Sequence, residues 1–159
     1  MTSTEHALAS LPNRSLRRDR GSGPRSADQA AVRARPRVLI VEDHIDTREM
    51  YEWCMRAAGW IVEGVANGAD ALVAVPAFAP DVIVMDLNLP VVGGLEAILR
   101  LKRDDATRDV PIVAMTGYDR DASEADARAS GCDEFVAKPC DPDALRAILE
   151  RIVLSQSDR

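Results

Sequence analysis

A chain of 159 residues, 47% hydrophobic and 29% charged, has the size and composition of one globular domain with some length to spare. No run approaches the ~18 apolar residues of a membrane span, and the first residues, with Glu5 and His6, lack the apolar centre of a secretory signal. The net charge of −6 divides unevenly: residues 1–37 hold eight arginines against Glu5, Asp19 and Asp28, a net +5, while the other 122 residues carry −11 and make a poor nucleic-acid surface.

Residues 1–35 are rich in Ser, Arg, Gly, Pro and Ala without sustained periodicity, and are expected to form a disordered, solvated leader. A contact with an acidic partner is the alternative use for their charge. The character changes at Pro36, and residues 36–154 read as the folded domain, with 155–159 as a short tail. "RVLIVED" (37–43) is a continuous aliphatic run of the kind buried on both faces of a sheet. Asp46 and Glu49 have capping-box spacing and predict a helix with Asp46 as N-cap. Its apolar stripe is Tyr51, Cys54, Met55 and Ala58, and Gly59 ends it. Trp53 falls off that stripe and is expected to lie flat against a neighbouring helix.

"WIVEGVA" (60–66) predicts a second strand, and Asn67 opens a helix carrying Ala71, Leu72 and Val75. Pro76 should stop or kink that helix, at a cost of about 3 kcal/mol in a helix interior. "DVIVMD" (81–86) is the third strand, followed by a helix over 94–103. "VPIVAMT" (110–116) is the fourth strand. A thin polar helix near 120–130 follows, with Ala122, Ala125 and Ala129 as its only apolar stripe. "EFVAK" (134–138) is the fifth strand, and Asp141 with Pro142 sits at N-cap and N1 of a last helix. Its stripe is Leu145, Ile148, Leu149 and Ile152. Short buried strands alternating with helices require a parallel sheet with helices on both faces, and five units suit an open sheet rather than an eight-fold barrel.

Chemistry in such a sheet gathers outside the carboxyl ends of the strands. Glu42 and Asp43 stand at the end of the first strand, Asp86 at the third, Thr116 at the fourth and Lys138 at the fifth. Two like charges about 4 Å apart repel by ~4 kcal/mol at an effective dielectric near 20, so three carboxylates need either a raised pKa or a divalent cation. Lys138 offsets one charge, and the hard oxygen ligands favour Mg²⁺ over Zn²⁺. His44 adjoins the cluster without the second histidine or cysteine that zinc would want, and reads as a loop residue. Cys54, Cys132 and Cys140 show no C-x-x-C spacing and read as thiols of a reducing cytoplasm.

"VLIVEDH", "DVIVMDLNLPVVGG", "IVAMTGY" and "EFVAKP", in this order and at these strand ends, resemble the receiver domain of two-component response regulators, over about Arg37 to Val153. The resemblance implies a flavodoxin-like sheet of order 2-1-3-4-5, an order the general rules for doubly wound sheets already associate with the chemotaxis member of that family. It implies Asp86 as phosphoacceptor; Glu42, Asp43 and Asp86 as Mg²⁺ ligands with a backbone carbonyl from Asn88; and Lys138 and Thr116 as groups that meet the phosphoryl oxygens. It further implies Thr116 and Phe135 as a switch pair, a cis Lys138–Pro139 peptide where sequence physics alone gives trans, and the first helix as a kinase-docking surface. Asn88 and Tyr118 would flank the path of the attacking water, and the bulk of Tyr118 suggests slow loss of the mark.

The expected protein is a cytoplasmic, single-domain regulator, because the chain stops soon after the last helix. Its donor would be a histidine kinase or histidine phosphotransfer protein, and its output would be binding to a downstream protein rather than to nucleic acid or membrane. It would be a monomer or a phosphorylation-dependent dimer, and an acceptor rather than a turnover enzyme. A receiver-like module that only binds is the alternative, disfavoured by the intact acidic and basic set. A Mg²⁺-dependent phosphatase with an aspartyl intermediate would carry a second Asp where this chain has Asn88.

Overall fold

The structure, a computed structural model, describes residues 35–117 and 124–157. Most of the leader, the segment containing Ala122, and Tyr118 with its expected role beside the water path lie outside the described residues. Five strands alternate with five helices: β1 (Arg37–Val41), α1 (Ile45–Ala57), β2 (Ile61–Val65), α2 (Gly68–Phe78), β3 (Val82–Asp86), α3 (Gly94–Arg103), β4 (Ile112–Thr116), α4 (Glu124–Ala129), β5 (Glu134–Ala137) and α5 (Pro142–Ser157). All strand pairs are parallel, in the order β2-β1-β3-β4-β5. The flavodoxin-like architecture is the one the resemblance implied.

Alternation along each strand builds two cores, one per face of the sheet. Leu39, Val41, Ile83, Met85, Ile112 and Ala114 point to the side covered by α2 and α3. Val38, Ile40, Val82, Val84, Val113 and Met115 point to the side where Tyr51 and Met55 of α1 meet Leu145 and Leu149 of α5. Each Val, Leu, Ile or Met among them contributes roughly 1.5–3 kcal/mol when fully buried, which is why the central strands read as unbroken aliphatic runs.

The helix ends show where local signals held and where they yielded. Asn67 caps α2 as expected, its side chain accepting from the Asp70 N–H at 2.8 Å. Asp141 caps α5 through Oδ1, which accepts from the N–H groups of Asp143 (2.9 Å) and Ala144 (3.2 Å). Gly59, with φ +94°, follows the end of α1 in the left-handed conformation that suits glycine. Arg35 donates from Nε to the Gly59 carbonyl at 2.8 Å, a cation placed at the negative end of that helix.

The capping box at Asp46 does not form. Helix α1 begins at Ile45 with His44 as N-cap, and Asp46 lies in its first turn. The helix starts early because the Glu42 carboxylate takes the His44 N–H at 3.1 Å and draws the chain into its turn sooner. Ala58, read as part of the buried stripe, is exposed. Helix α2 passes through Pro76 and ends two residues later at Phe78, so the ladder bond that the proline gives up lies in the last turn. Trp53 is not packed on a neighbour but 72% exposed. In α4 the buried contact is Ala127, while Ala125 and Ala129 face water, so the short helix sits on the core by one methyl group. Helix α5 continues through Ser157, into the segment read as a tail.

Candidate functional site

The sheet order brings β1 and β3 side by side, with Val41 opposite Met85, so Glu42 and Asp86 emerge at one edge. Asp86 in turn lies opposite Met115 on β4, and Thr116 opposite Ala137 on β5. Glu42 is 4% exposed and Asp86 5%, whereas Asp43 is open to solvent. One carboxylate oxygen from each of the three lies within 4.8 Å of the others. Lys138 follows β5 and reaches across β4: its Nζ donates to Oε2 of Glu42 and to Oδ2 of Asp86, both at very short range. The cluster expected from the strand ends is assembled.

Every oxygen of the two buried carboxylates is engaged. Oδ1 of Asp86 accepts from the Asn88 N–H at 2.9 Å, and Oε1 of Glu42 accepts from the His44 N–H. The turn after Asp86 is further fixed by the Leu87 N–H, which donates to the Met115 carbonyl (2.9 Å), and by the Gly94 N–H, which donates to the Leu87 carbonyl (3.1 Å). Gly94 has no room for a Cβ, which would overlap the Asp86 carbonyl and the Leu87 Cα. Glycine here is what lets α3 start directly beneath the turn. Four residues past Leu87, Val91 sits at φ +67° with 83% of its surface exposed, an unusual conformation for a β-branched residue.

Burial pushes the Glu42 carboxyl above its ordinary pKa; Lys138 opposes that rise and the nearby Asp86 charge adds to it. Lys138 is likewise pulled down by burial, but its bonds to Asp86 and Glu42 outweigh that and leave its ammonium above the usual lysine value. Two buried carboxyl groups thus share one buried cation, which leaves the ionised set one positive charge short of balance before Asp43 is counted. Hard anionic oxygens, two of them nearly dry and a third facing solvent, fit a divalent cation of the Mg²⁺ type. His44 is not among the groups clustered there, and its Nδ1 lies 3.2 Å from the Thr47 hydroxyl.

The remaining expected residues are nearby but differently engaged. The Thr116 hydroxyl is buried and donates to the Gly117 carbonyl at 3.0 Å. Its strand end is tied to Lys138, whose N–H donates to the Thr116 carbonyl at 2.7 Å. Phe135 is half-buried against the core on the α2/α3 side, and Asn88 is exposed. The Lys138–Pro139 peptide is cis. One contact was not foreseen: Arg48, in α1, donates from Nη1 to the Glu42 carbonyl at 2.7 Å. An arginine at a generic helix position carries no sequence signal for such a role.

Comparison with known proteins agrees with this geometry. The family model of the response regulator receiver domain matches residues 38–150. The polar-differentiation response regulator DivK of Brucella anthropi is 35% identical over 102 residues, 64% of this chain and 83% of that protein. Among solved structures, the receiver domain of the sensor histidine kinase PA1611 from Pseudomonas aeruginosa, which holds a magnesium ion in its active-site cleft, superposes with a TM-score of 0.70 at 30% identity, covering 76% of this chain and 98% of that one. The chemotaxis response regulator CheY4 of Vibrio cholerae gives 0.69 at 28% identity, with 75% and 99% covered. A parallel five-stranded sheet of this order, acid groups and a lysine meeting at its carboxyl edge, and a family match across most of the chain converge: this protein belongs to the receiver domain family of two-component response regulators.

Proposed function

We propose that Asp86 accepts a phosphoryl group from a phosphohistidine donor, with Mg²⁺ held by Glu42, Asp43, Asp86 and the Asn88 carbonyl. The observation that carries this reading is the Lys138 ammonium bridging the two buried carboxylates at the sheet edge. Phosphoryl transfer needs in-line positioning and charge neutralisation more than covalent assistance. A carboxylate oxygen of Asp86 forms the new O–P bond as the donor's N–P bond breaks, and the imidazole leaves with the bonding pair. Lys138 has three ammonium donors and spends two on Glu42 and Asp86, which leaves one for a phosphoryl oxygen. Bound Mg²⁺ would supply the further positive charge that the incoming phosphoryl group requires. The Thr116 hydroxyl can rotate from the Gly117 carbonyl toward the phosphoryl group, and Phe135, only half-buried, can follow inward. That movement is the switch by which the modified protein changes its affinity for a downstream protein.

Helix α1 suits the docking of a histidine kinase or phosphotransfer protein. Ile45, Met50 and Trp53 are large apolar side chains exposed on it. A groove of about 550 Å³ lies alongside, bounded by Met50, Tyr51, Lys138, Cys140 and Pro142. No described helix is long and apolar enough to cross a membrane. The proposed setting is the cytoplasm, with the receiver domain as an acceptor and not a turnover enzyme.

Intact-protein mass spectrometry after incubation with acetyl phosphate and Mg²⁺ tests the assignment. A phosphoryl adduct that requires Mg²⁺, is blocked by EDTA and is absent from Asp86→Asn supports it. An adduct that persists in Asp86→Asn places the acceptor elsewhere, and failure of both acetyl phosphate and beryllofluoride to bind favours a module that only binds partners.

A further inference from the structure

Arg48 stands one turn into α1, yet its guanidinium reaches back past the start of the helix to the Glu42 carbonyl at 2.7 Å. The other backbone group of Glu42 is also taken, because its N–H donates to the Val65 carbonyl at the end of β2 at 3.0 Å. Glu42 is therefore pinned on both sides of its Cα. Asp43 follows directly, so the placement of both carboxylates depends on those two bonds. Arg48 is itself aimed. Glu52, four residues on, lies with Oε1 3.7 Å from its Nε, and Arg56 holds the other oxygen of Glu52 at 2.8 Å. The Glu52 carboxylate occupies the space where a side chain at residue 64 would begin, and only glycine at that position of β2 leaves it room. The Arg48 and Glu52 side chains are 16% and 14% exposed, so their charges are shielded from water far more than those of an ordinary surface pair.

We propose that Arg48 is a positioning residue for the acidic pair: aimed by Glu52 across Gly64, it holds the Glu42 carbonyl and so sets where the Glu42 and Asp43 carboxylates meet a divalent cation. This inference rests on the Mg²⁺ reading of the cluster given above. Groups that orient metal ligands without touching the ion typically change affinity by about 10–100-fold when removed. The carbonyl left behind by a truncated Arg48 is buried with Glu42 and would be satisfied only by a shift of the turn.

Isothermal titration of the metal-free protein with MgCl₂ reads this directly, alongside the melting temperature of each variant without metal. Arg48→Ala is expected to weaken Mg²⁺ binding by about 10–100-fold. Arg48→Lys keeps a cation but cannot serve the carbonyl and Glu52 together, and should fall between wild type and Arg48→Ala. Gly64→Ala puts a Cβ into the Glu52 carboxylate and 3.1 Å from Arg48 Cδ, so it displaces Glu52 and crowds Arg48 at once, and is expected to weaken binding by about tenfold through the same path. Arg56→Ala removes a half-exposed partner of Glu52 and should stay within about threefold of wild type. A merely structural Arg48 would lower the melting temperature and leave the Mg²⁺ affinity of the folded protein unmoved, and that result overturns the proposal. If Arg48→Ala does not fold, wild-type affinity in both Arg48→Lys and Gly64→Ala overturns it equally. Absence of Mg²⁺ binding by wild type overturns the reading of the site itself, which the other outcomes leave standing.

Discussion

Replacing Lys138 by methionine removes the cation between Glu42 and Asp86 while keeping an unbranched apolar stem. The two buried carboxylates then face one another with oxygens no more than 4.8 Å apart. At an effective dielectric near 20 that repulsion is about 3.5 kcal/mol. Burial already pushes Glu42 up, and in the variant only the His44 N–H is left to pull it back. A carboxyl whose pKa is higher folded than unfolded contributes stability that is present below the unfolded value and lost as pH rises through the folded one. The gap between variant and wild type should therefore widen by up to about 3.5 kcal/mol between about pH 5 and pH 7.5. The raised pKa of Lys138 has the same sign, giving wild type a stabilisation that is lost only as pH rises above the ordinary lysine value, so it adds a constant part to the gap at both pH values. Urea unfolding in EDTA at both pH values measures the gap, and saturating Mg²⁺ should narrow it at the higher pH by taking the place of the ammonium. A gap of equal size at both pH values would refute the reasoning, because it would mean that the carboxylates do not share an electrostatic site.

Asn67→Ala removes the side-chain bond to the Asp70 N–H and should cost about 0.5–2 kcal/mol in urea unfolding, with no effect on phosphorylation. Val91→Asn relieves a β-branched residue at φ +67° whose side chain is already exposed, and should stabilise the protein by about 1 kcal/mol, seen as a higher denaturation midpoint at unchanged slope. Tyr51→Phe deletes the hydroxyl that donates to the Cys140 carbonyl at 2.9 Å, tying α1 to the segment after Lys138. It should destabilise by about 1 kcal/mol in the same assay.

The strands were legible because burial on both faces leaves a nearly continuous aliphatic signature, and Leu39, Ile83 and Ile112 carry it without interruption. Caps made within a few residues were legible for the same reason that they are local, as at Asn67 and Asp141. The start of α1 was not, because it is decided by the Glu42 side chain and not by the residues of the capping box. Trp53 was misjudged because an off-stripe aromatic looks alike whether a neighbour covers it or water does. In the site, strand ends named the carboxylates and the lysine, since sheet order alone brings them together. Arg48 escaped notice because its partner is a backbone carbonyl, which has no sequence identity.

The two tryptophans stand in opposite surroundings, Trp60 at 2% exposure and Trp53 at 72%. Their emission should therefore separate: Trp60 blue-shifted and shielded from iodide, Trp53 red-shifted and open to quenching. Unfolding is reported by the first, while anything that settles on α1 covers the second and withdraws it from the quencher. The protein thus carries its own optical label for the docking proposed at α1, and Trp60→Phe would leave that signal alone in the spectrum.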